Sequence, residues 1–433
     1  MAGHLRLISR SLATLACAWL ALAAAHAARA DGAFPDEFSI HFPPDAPHRI
    51  YLGANFGMLV SEDDGSTWRY SCEPWVVLGS NDALSPASVS LYQVAADGAL
   101  LATSPQAHNV TRSADVACTW PASTGAVTGQ FVTDVFPDPN DPSFVLAIVV
   151  LSNNSYIVAS HDGGKTFDAP HLYDTPDLLT GVEIARSKRG VFYASSTSPS
   201  GGPPRFLAST DSGVTWPSTT LTIPVGTEPR ILAVDPADEN KVYLRIVGTI
   251  TDEIRMTPDG GQSFQTILPP IGGQLSSFLR ATDGALYAGT RAGKLYTQAP
   301  GATDFTSRDA LHFRCLGQRT GSARIYACGD MVVDGFSLAK SDDNGLTFQP
   351  VMSFTQLLGL LTCAPVQTNC ASHWERIQGV LGIAKPDAGQ PDAGTDGTSG
   401  GSHCGTAGVE WWSLCLVALF ERRRRASARG RPA

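Results

Sequence analysis

The stretch SEDDGSTW, Ser61 to Trp68, places three carboxylates, Glu62, Asp63 and Asp64, among hydroxyls and beside a tryptophan. Clustered carboxylates can hold calcium or share acid–base work. The calcium reading fails on spacing, because an EF-hand loop needs ligands at alternating positions and a Glu six residues after its Gly. Catalysis would need partners from elsewhere in the chain. Glu183, Tyr193, Glu228 and Arg230 have the residue types of a nucleophile, its base and an anion clamp, yet no motif ties them together, and ordinary strand and loop roles are expected. Asp134, Asp235 and Asp330 are available for a carboxylate pair flanking a glycosidic bond, and spacing cannot select among them. There is no G-x-S-x-G elbow, H-E-x-x-H or P-loop. His108, His312 and His373 are isolated, and His161 lies in a turn. No catalytic set, metal site or cofactor is therefore assigned.

The acidic stretch acquires a different meaning because it recurs. SHDGGKTF begins at Ser160, STDSGVTW at Ser209, TPDGGQSF at Thr257 and SDDNGLTF at Ser341. Two degenerate copies fill the gaps: SADVACTW from Ser113, with Ala117 in place of glycine, and TQAPGATDF from Thr297, with the Asp lost and one residue inserted. The intervals between starts are 52, 47, 49, 48, 40 and 44 residues, a period that signals a propeller or solenoid. The residue types suit a turn. Asp accepts hydrogen bonds from nearby backbone amides, Gly supplies a positive φ, Ser and Thr fasten the same corner, and the terminal aromatic ring is buried.

Upstream of each copy lie paired apolar runs. FSIHFPPDAPHRIYLGA, VTDVFPDPNDPSFVLAIVV and ILAVDPADENKVYLRI place a Pro/Asp turn between runs rich in β-branched and aromatic residues; VAADGALLAT, FLRATDGALYAGT and GQRTGSARIYACG use Asp-Gly or Thr-Gly. Adding the strands that enter and leave the acidic turn gives four per period. An all-β, seven-bladed β-propeller of four-stranded antiparallel blades is predicted, or six blades if the Thr297 copy is not one. Blade one is expected from about Asp36 to Trp75 and blade seven from about His312 to Phe354, with Thr355 to Ile383 packing across both as a clasp.

Over about residues 37 to 355 the pattern resembles the Asp-box, or BNR, repeat of sialidases, sortilin-type receptors and related propellers. The resemblance implies that Asp63, Gly65 and Trp68, Asp115 and Trp120, and Asp162, Gly164 and Phe167 are structural. The same holds for Asp211, Gly213 and Trp216, for Asp259, Gly261 and Phe264, and for Asp343, Gly345 and Phe348. In that family the box joins the third and fourth strands of a blade, away from the axial face where ligands bind. Sialidases of this fold also grip a carboxylate with three arginines, the first in an F-R-I-P motif; here Asp31 to Pro47 has no arginine, and Arg49 comes first, in PHRIYLG. The expectation is a non-catalytic binding or scaffold module for a protein, peptide or glycan. The alternative is an extracellular glycoside hydrolase, sialidase-like or glucan-active. After the tryptophans of boxes, leader and tail, only Trp75 and Trp374 remain, few for a sugar-stacking groove.

The two ends carry an address. Residues 1–30 place Arg6 and Arg10 before an apolar run and end in Ala28-Arg29-Ala30, the pattern of a secretory signal peptide cleaved before Asp31. Export permits disulfides. Cys315 with Cys328 and Cys363 with Cys370 are the partners expected from sequence distance, which leaves Cys72 with Cys118. Positions 31–403 carry 22 basic and 38 acidic residues, a net charge of −16 that repels phosphate backbones, so nucleic acid is not an expected partner. The domain is read as 31–384, with 355–384 the clasp, followed at 385–403 by a Pro/Asp/Gly-rich linker with no large apolar side chains. The final segment, 404–433, places a cysteine, a short apolar patch and terminal arginines in the order that resembles myxobacterial C-terminal sorting tags (the MYXO-CTERM type), which implies processing or anchoring at Cys404. The resulting expectation is a monomer exported by a Gram-negative, myxobacterial-type cell, associated with the membrane through that tag and located at the cell surface or outer membrane, or secreted.

Overall fold

The computed structural model describes residues 37–77, 91–104, 107–152, 154–169 and 171–383. The expected leader, linker, sorting tag and Cys404 lie outside them. Twenty-seven of its strands form seven antiparallel sheets in chain order. Blade 1 is β1–β4 (Glu37–His41, Ile50–Ala54, Gly57–Ser61, Arg69–Cys72), and blade 2 is β5–β7 (Leu91–Val94, Leu100–Thr103, Val110–Ser113). A short pair, β8 (Thr124–Gly125) and β12 (Thr166–Phe167), links blades 2 and 3 in parallel. Blade 3 is β9, β10, β11 and β13 (Phe131–Pro137, Val145–Leu151, Asn154–Ser160, Tyr173–Thr175). Blade 4 is β14–β17 (Leu178–Ile184, Phe192–Thr197, Arg205–Ser209, Ser218–Thr220). Blade 5 is β18–β21 (Glu228–Val234, Val242–Val247, Thr251–Thr257, Gln265–Gly272). Blade 6 is β22–β25 (Leu275–Arg280, Leu286–Thr290, Lys294–Gln298, Thr306–Asp309), and blade 7 is β26–β29 (Cys315–Gln318, Ile325–Cys328, Leu338–Ser341, Gln349–Met352). One-turn helices α1 (Glu73–Val76) and α2 (Met331–Asp334) follow β4 and β27.

The count is seven. The degenerate copy at Thr297 makes a true hairpin, with Thr297 opposite Thr306, so the six-bladed alternative falls. Blade 2 departs from four strands: its fourth place is held by a single bridge between Thr111 and Ala122. The Asp-Gly turns close as their sequence requires, Gly98 at φ 80° and Gly284 at φ 99°.

First strands of neighbouring blades touch around the ring, β1 meeting β26 across the seam, so they line the axis. Chain direction then defines two faces. First-to-second and third-to-fourth strand turns emerge on one, the turn face; second-to-third turns and the connections between blades emerge on the other, the connection face. Apolar clusters lie between successive blades, from Leu101 and Ala147 between blades 2 and 3 round to Phe313 and Ile325 between blades 6 and 7.

The largest cluster lies at the seam, where Leu357, Leu360, Val366, Ile377 and Leu381 of the chain after blade 7 join Trp68 and Tyr70 of blade 1. Leu358 N–H donates to Trp68 O (3.0 Å), Tyr70 N–H to Gly359 O (3.0 Å) and Leu361 N–H to Tyr70 O (2.9 Å), so this segment runs parallel to β4 as an extra edge strand. Helices α3 (Ala364–Asn369) and α4 (Ala371–Leu381) follow, and the Tyr70 hydroxyl bonds to His373 Nδ1.

The disulfides correct two of three expected pairings. Cys315 and Cys328 sit opposite one another in the ladder and are joined. Cys72 pairs with Cys370, and Cys118 with Cys363, rather than Cys363 with Cys370 and Cys72 with Cys118. The physical reason is helical: Cys363 and Cys370 flank α3 at its two ends, and a rise of about 1.5 Å per residue separates them beyond the reach of an S–S bond. Both bridges instead tie the clasp to blades 1 and 2, across 298 and 245 residues of chain.

Candidate functional site

Each acidic turn follows the third strand of its own blade, and its carboxylate is spent locally. Asp63 accepts from Thr67 N–H (2.8 Å), the Thr67 hydroxyl (2.6 Å) and the Ser61 hydroxyl (2.9 Å), while Gly65 N–H donates to Ser61 Oγ (2.8 Å) and Trp68 Nε1 to Gly65 O (2.9 Å). Asp115, Asp162, Asp211, Asp259 and Asp343 repeat the arrangement. The Ser263 hydroxyl, then its amide, hold Asp259 down to about 2, and Thr347 does the same for Asp343. These carboxylates do not converge. They are spread round the turn face, one in each blade except blade 6.

The glycines of these turns have a second duty that their φ alone does not reveal. A Cβ on Gly261 would lie 2.5 Å from the Phe206 ring, one on Gly164 2.8 Å from Leu101, and one on Gly65 2.8 Å from Val351. Every one of these neighbours belongs to the preceding blade. The turn is thus also an inter-blade contact.

Along the axis, two cavities of about 440 and 410 Å³ share Ile40, His41 and Gln93, making them successive parts of one channel. Burial lowers His41 to about 4 and keeps its imidazole neutral. Farther round the wall, Asp134 of blade 3 reaches across to accept from Val182 N–H of blade 4 (2.9 Å) and also accepts from Val135 N–H (2.9 Å). Burial raises Asp134 to about 6, against the pull of those two amides and of Arg230. Glu183, next to Val182, is raised well above the carboxylate range by burial and then by the charge of Asp134. Two inner-strand carboxylates from adjacent blades therefore lie close enough for the charge of Asp134 to act on Glu183.

The other candidates disperse. Arg230 pairs with Glu228 (2.7 Å) at the start of β18, whereas the Tyr193 hydroxyl donates to Glu239 O (2.7 Å). Asp235 is bound to Arg280 (2.8 Å). Asp330 pairs with Arg314 (2.6 Å) and caps α2. Trp75 donates to Cys118 O, and Trp374 lies against Tyr70. His312 is bound to Asp334 (2.9 Å), and His161 is exposed near Asp168. Among the described residues no group of three or more His, Cys, Asp or Glu side chains is placed to hold a metal ion.

The connection face carries a feature that motif reading missed. Leu151, Leu178, Val225, Ile250, Val332 and Val333 are exposed there, on second-to-third turns or blade connections. Four of them, Leu151, Leu178, Val225 and Ile250, fall in the consecutive blades 3 to 5. A pocket of about 680 Å³ opens on this face between the second-to-third turn of blade 4 and the connection to blade 5, walled by Pro203, Pro204, Ile223, Pro224 and Val225 and ending at Glu228. Its signal in the sequence is the low-polarity text SPSGGPP and TIPVG, which reads simply as loop.

No family model matches this chain, and no curated protein is similar to it. Solved structures match in fold. Prolyl oligopeptidase B from Galerina marginata, bound to a 35mer hydrolysis and macrocyclization substrate, gives a TM-score of 0.52 at 10% identity over 75% of this chain and 51% of that one. The GH74 xyloglucanase from Xanthomonas campestris gives 0.39 at 12% identity over 72% and 77%. YCF48 bound to D1 peptide gives 0.35 at 18% identity over 50% and 65%. The chain thus spans about half the length of the oligopeptidase and under two thirds of YCF48. The likeness to the oligopeptidase shows the fold alone and leaves function to the site.

Proposed function

We propose that the protein is an exported propeller that binds a protein or peptide partner on the connection face over blades 3 to 5. The observation that carries this reading is the exposure of Leu151, Leu178, Val225 and Ile250 on the connection face of blades 3 to 5, the face on which the proline-walled pocket opens beside Val225. Apolar side chains gathered at loop tips around a concavity are what association removes from water, at about 25 cal/mol per Å². The acidic turns are read as Asp boxes, fasteners of the ring. The leader is read as an export signal, and the tail from Cys404 as a sorting tag that keeps the protein at the cell surface.

A peptide-display selection on the full-length protein tests the binding reading. Enriched peptides rich in aromatic and aliphatic residues are expected, and their binding is expected to fall at least about tenfold with Val225→Asp and Ile250→Asp combined, since a charge is forced into a desolvated contact. Failure to enrich any sequence, or retention of binding by that variant, overturns it.

A hydrolytic reading has one observation in its favour, the neighbouring carboxylates Asp134 and Glu183, whose raised pKa values are of the kind an acid/base pair needs. Release of reducing ends from a panel of glucans, abolished by Glu183→Gln, would establish it in place of the binding reading.

A further inference from the structure

The acidic turn of blade 2 differs from its counterparts in two respects at once. In the other turns, the two residues after the Asp both adopt positive φ and are Asp64-Gly65, Gly163-Gly164, Ser212-Gly213, Gly260-Gly261 and Asn344-Gly345. Blade 2 has Val116 at φ 60° and Ala117 at φ 62°. A β-branched residue followed by alanine in the left-handed region is strained, and such strain persists only where the surroundings over-determine it. The very next residue, Cys118, is disulfide-bonded to the clasp through Cys363. Trp75 Nε1 also donates to Cys118 O (3.0 Å), and Leu361 of the clasp packs into the blade 1–blade 2 cluster with Val116.

The three disulfides differ in access. Cys72 and Cys370 are each 0% exposed, and Cys315 and Cys328 are 4% and 0% exposed. Cys118 and Cys363 are both partly exposed. Attack on a disulfide needs a line of approach to one sulfur, so a reductant in solution meets this bridge first.

We propose that Cys118–Cys363 is a redox latch, opened by a dithiol reductant in the folded protein, which frees the strained turn of blade 2 and the start of the clasp while Cys72–Cys370 and Cys315–Cys328 stay closed. In the step, one thiolate of the reductant attacks Cys118 or Cys363 and displaces the other as thiolate. The reductant's second thiol resolves the mixed disulfide. Two electrons pass to the cysteine pair, the two protons of the reductant end on Cys118 and Cys363, and the reductant becomes a cyclic disulfide. The turn then relaxes toward negative φ, α3 loses its covalent hold on blade 2, and α4 remains tied through Cys370. The result is a local opening beside an intact ring.

The test uses the oxidised full-length protein treated with limiting dithiothreitol, followed by maleimide labelling with peptide mapping and by hydrogen exchange. Cys118 and Cys363 are expected to label at least about tenfold faster than the other four disulfide-bonded cysteines, Cys72, Cys370, Cys315 and Cys328. Amides of residues 115–120 and 364–369 are expected to exchange about tenfold faster after reduction, with those of 371–381 unchanged. Labelling of all six of these disulfide-bonded cysteines together, or labelling of Cys118 and Cys363 without faster exchange, overturns the proposal. Cys118→Ser with Cys363→Ser should reproduce the reduced pattern without reductant, and an exchange pattern like that of the oxidised wild type would contradict it. Val116→Asn with Ala117→Gly should restore protection of the turn in the reduced protein; continued fast exchange there would show that strain is not what the latch holds.

Discussion

The two faces of the ring are built on opposite rules. On the turn face one device recurs: a serine or threonine, an aspartate and a glycine close the corner, and an aromatic ring turns inward. Among the described residues of the connection face no such device recurs. Blade 1 turns through Asn55 and Phe56 alone, blade 4 uses the longer Ser198–Pro204 loop, and blade 7 inserts a helical turn. Repetition marks residues whose work is mechanical, because every blade poses the same packing problem. Its absence marks residues presented one by one, as binding loops are.

Substitutions should therefore separate stability from recognition, face by face. The largest effect is expected at Gly261, where alanine adds a Cβ 2.5 Å from the buried Phe206 ring at φ 99°. Overpacking plus left-handed strain should cost about 3 kcal/mol in chemical denaturation. A loss under about 1 kcal/mol would mean the blades can separate freely there.

Between the faces, the channel wall should respond to pH. Asp134 is raised to about 6 in the fold by burial, so the folded chain holds its proton more tightly than the unfolded chain. That contribution is fully present below the unfolded value near 4 and is lost as pH rises through about 6, with Glu183 extending the loss to higher pH. Stability should decline by about 3 kcal/mol through the Asp134 range, and Glu183→Gln should remove only the further decline at higher pH. A flat profile in the wild type would show that the two carboxylates are well hydrated.

Smaller still is Ser61→Ala. It removes the buried hydroxyl that holds Gly65 N–H and should cost about 1 kcal/mol by thermal denaturation. Val225→Ser on the opposite face should change stability by less than about 0.5 kcal/mol. Equal costs at Ser61 and Val225 would erase the distinction between faces.

What could be read from the sequence follows the same division. The turns, the strand pairs and the number of blades were legible because they repeat, and even the copy that lost its Asp at Thr297 kept its place in the period. The disulfides of Cys72, Cys118, Cys363 and Cys370 were not legible, because ring closure brings the chain's far ends together and sequence distance then misleads. Asp134 and Glu183 lie 49 positions apart with no motif between them; only the lateral packing of inner strands from blades 3 and 4 makes them neighbours. The apolar tips escaped notice because an exposed valine in a loop means nothing alone and acquires meaning from the others on its face.

The central claim is that the face without repetition is the one that recognises a partner. Fluorescence anisotropy of one display-selected peptide against two double variants tests it most directly. Val225→Asp with Ile250→Asp alters the connection face, and Val214→Asp with Leu346→Asp alters the exposed apolar residues of the turn face. The account predicts that affinity falls at least about tenfold in the first and stays within about twofold of wild type in the second. Loss confined to the second variant would contradict it.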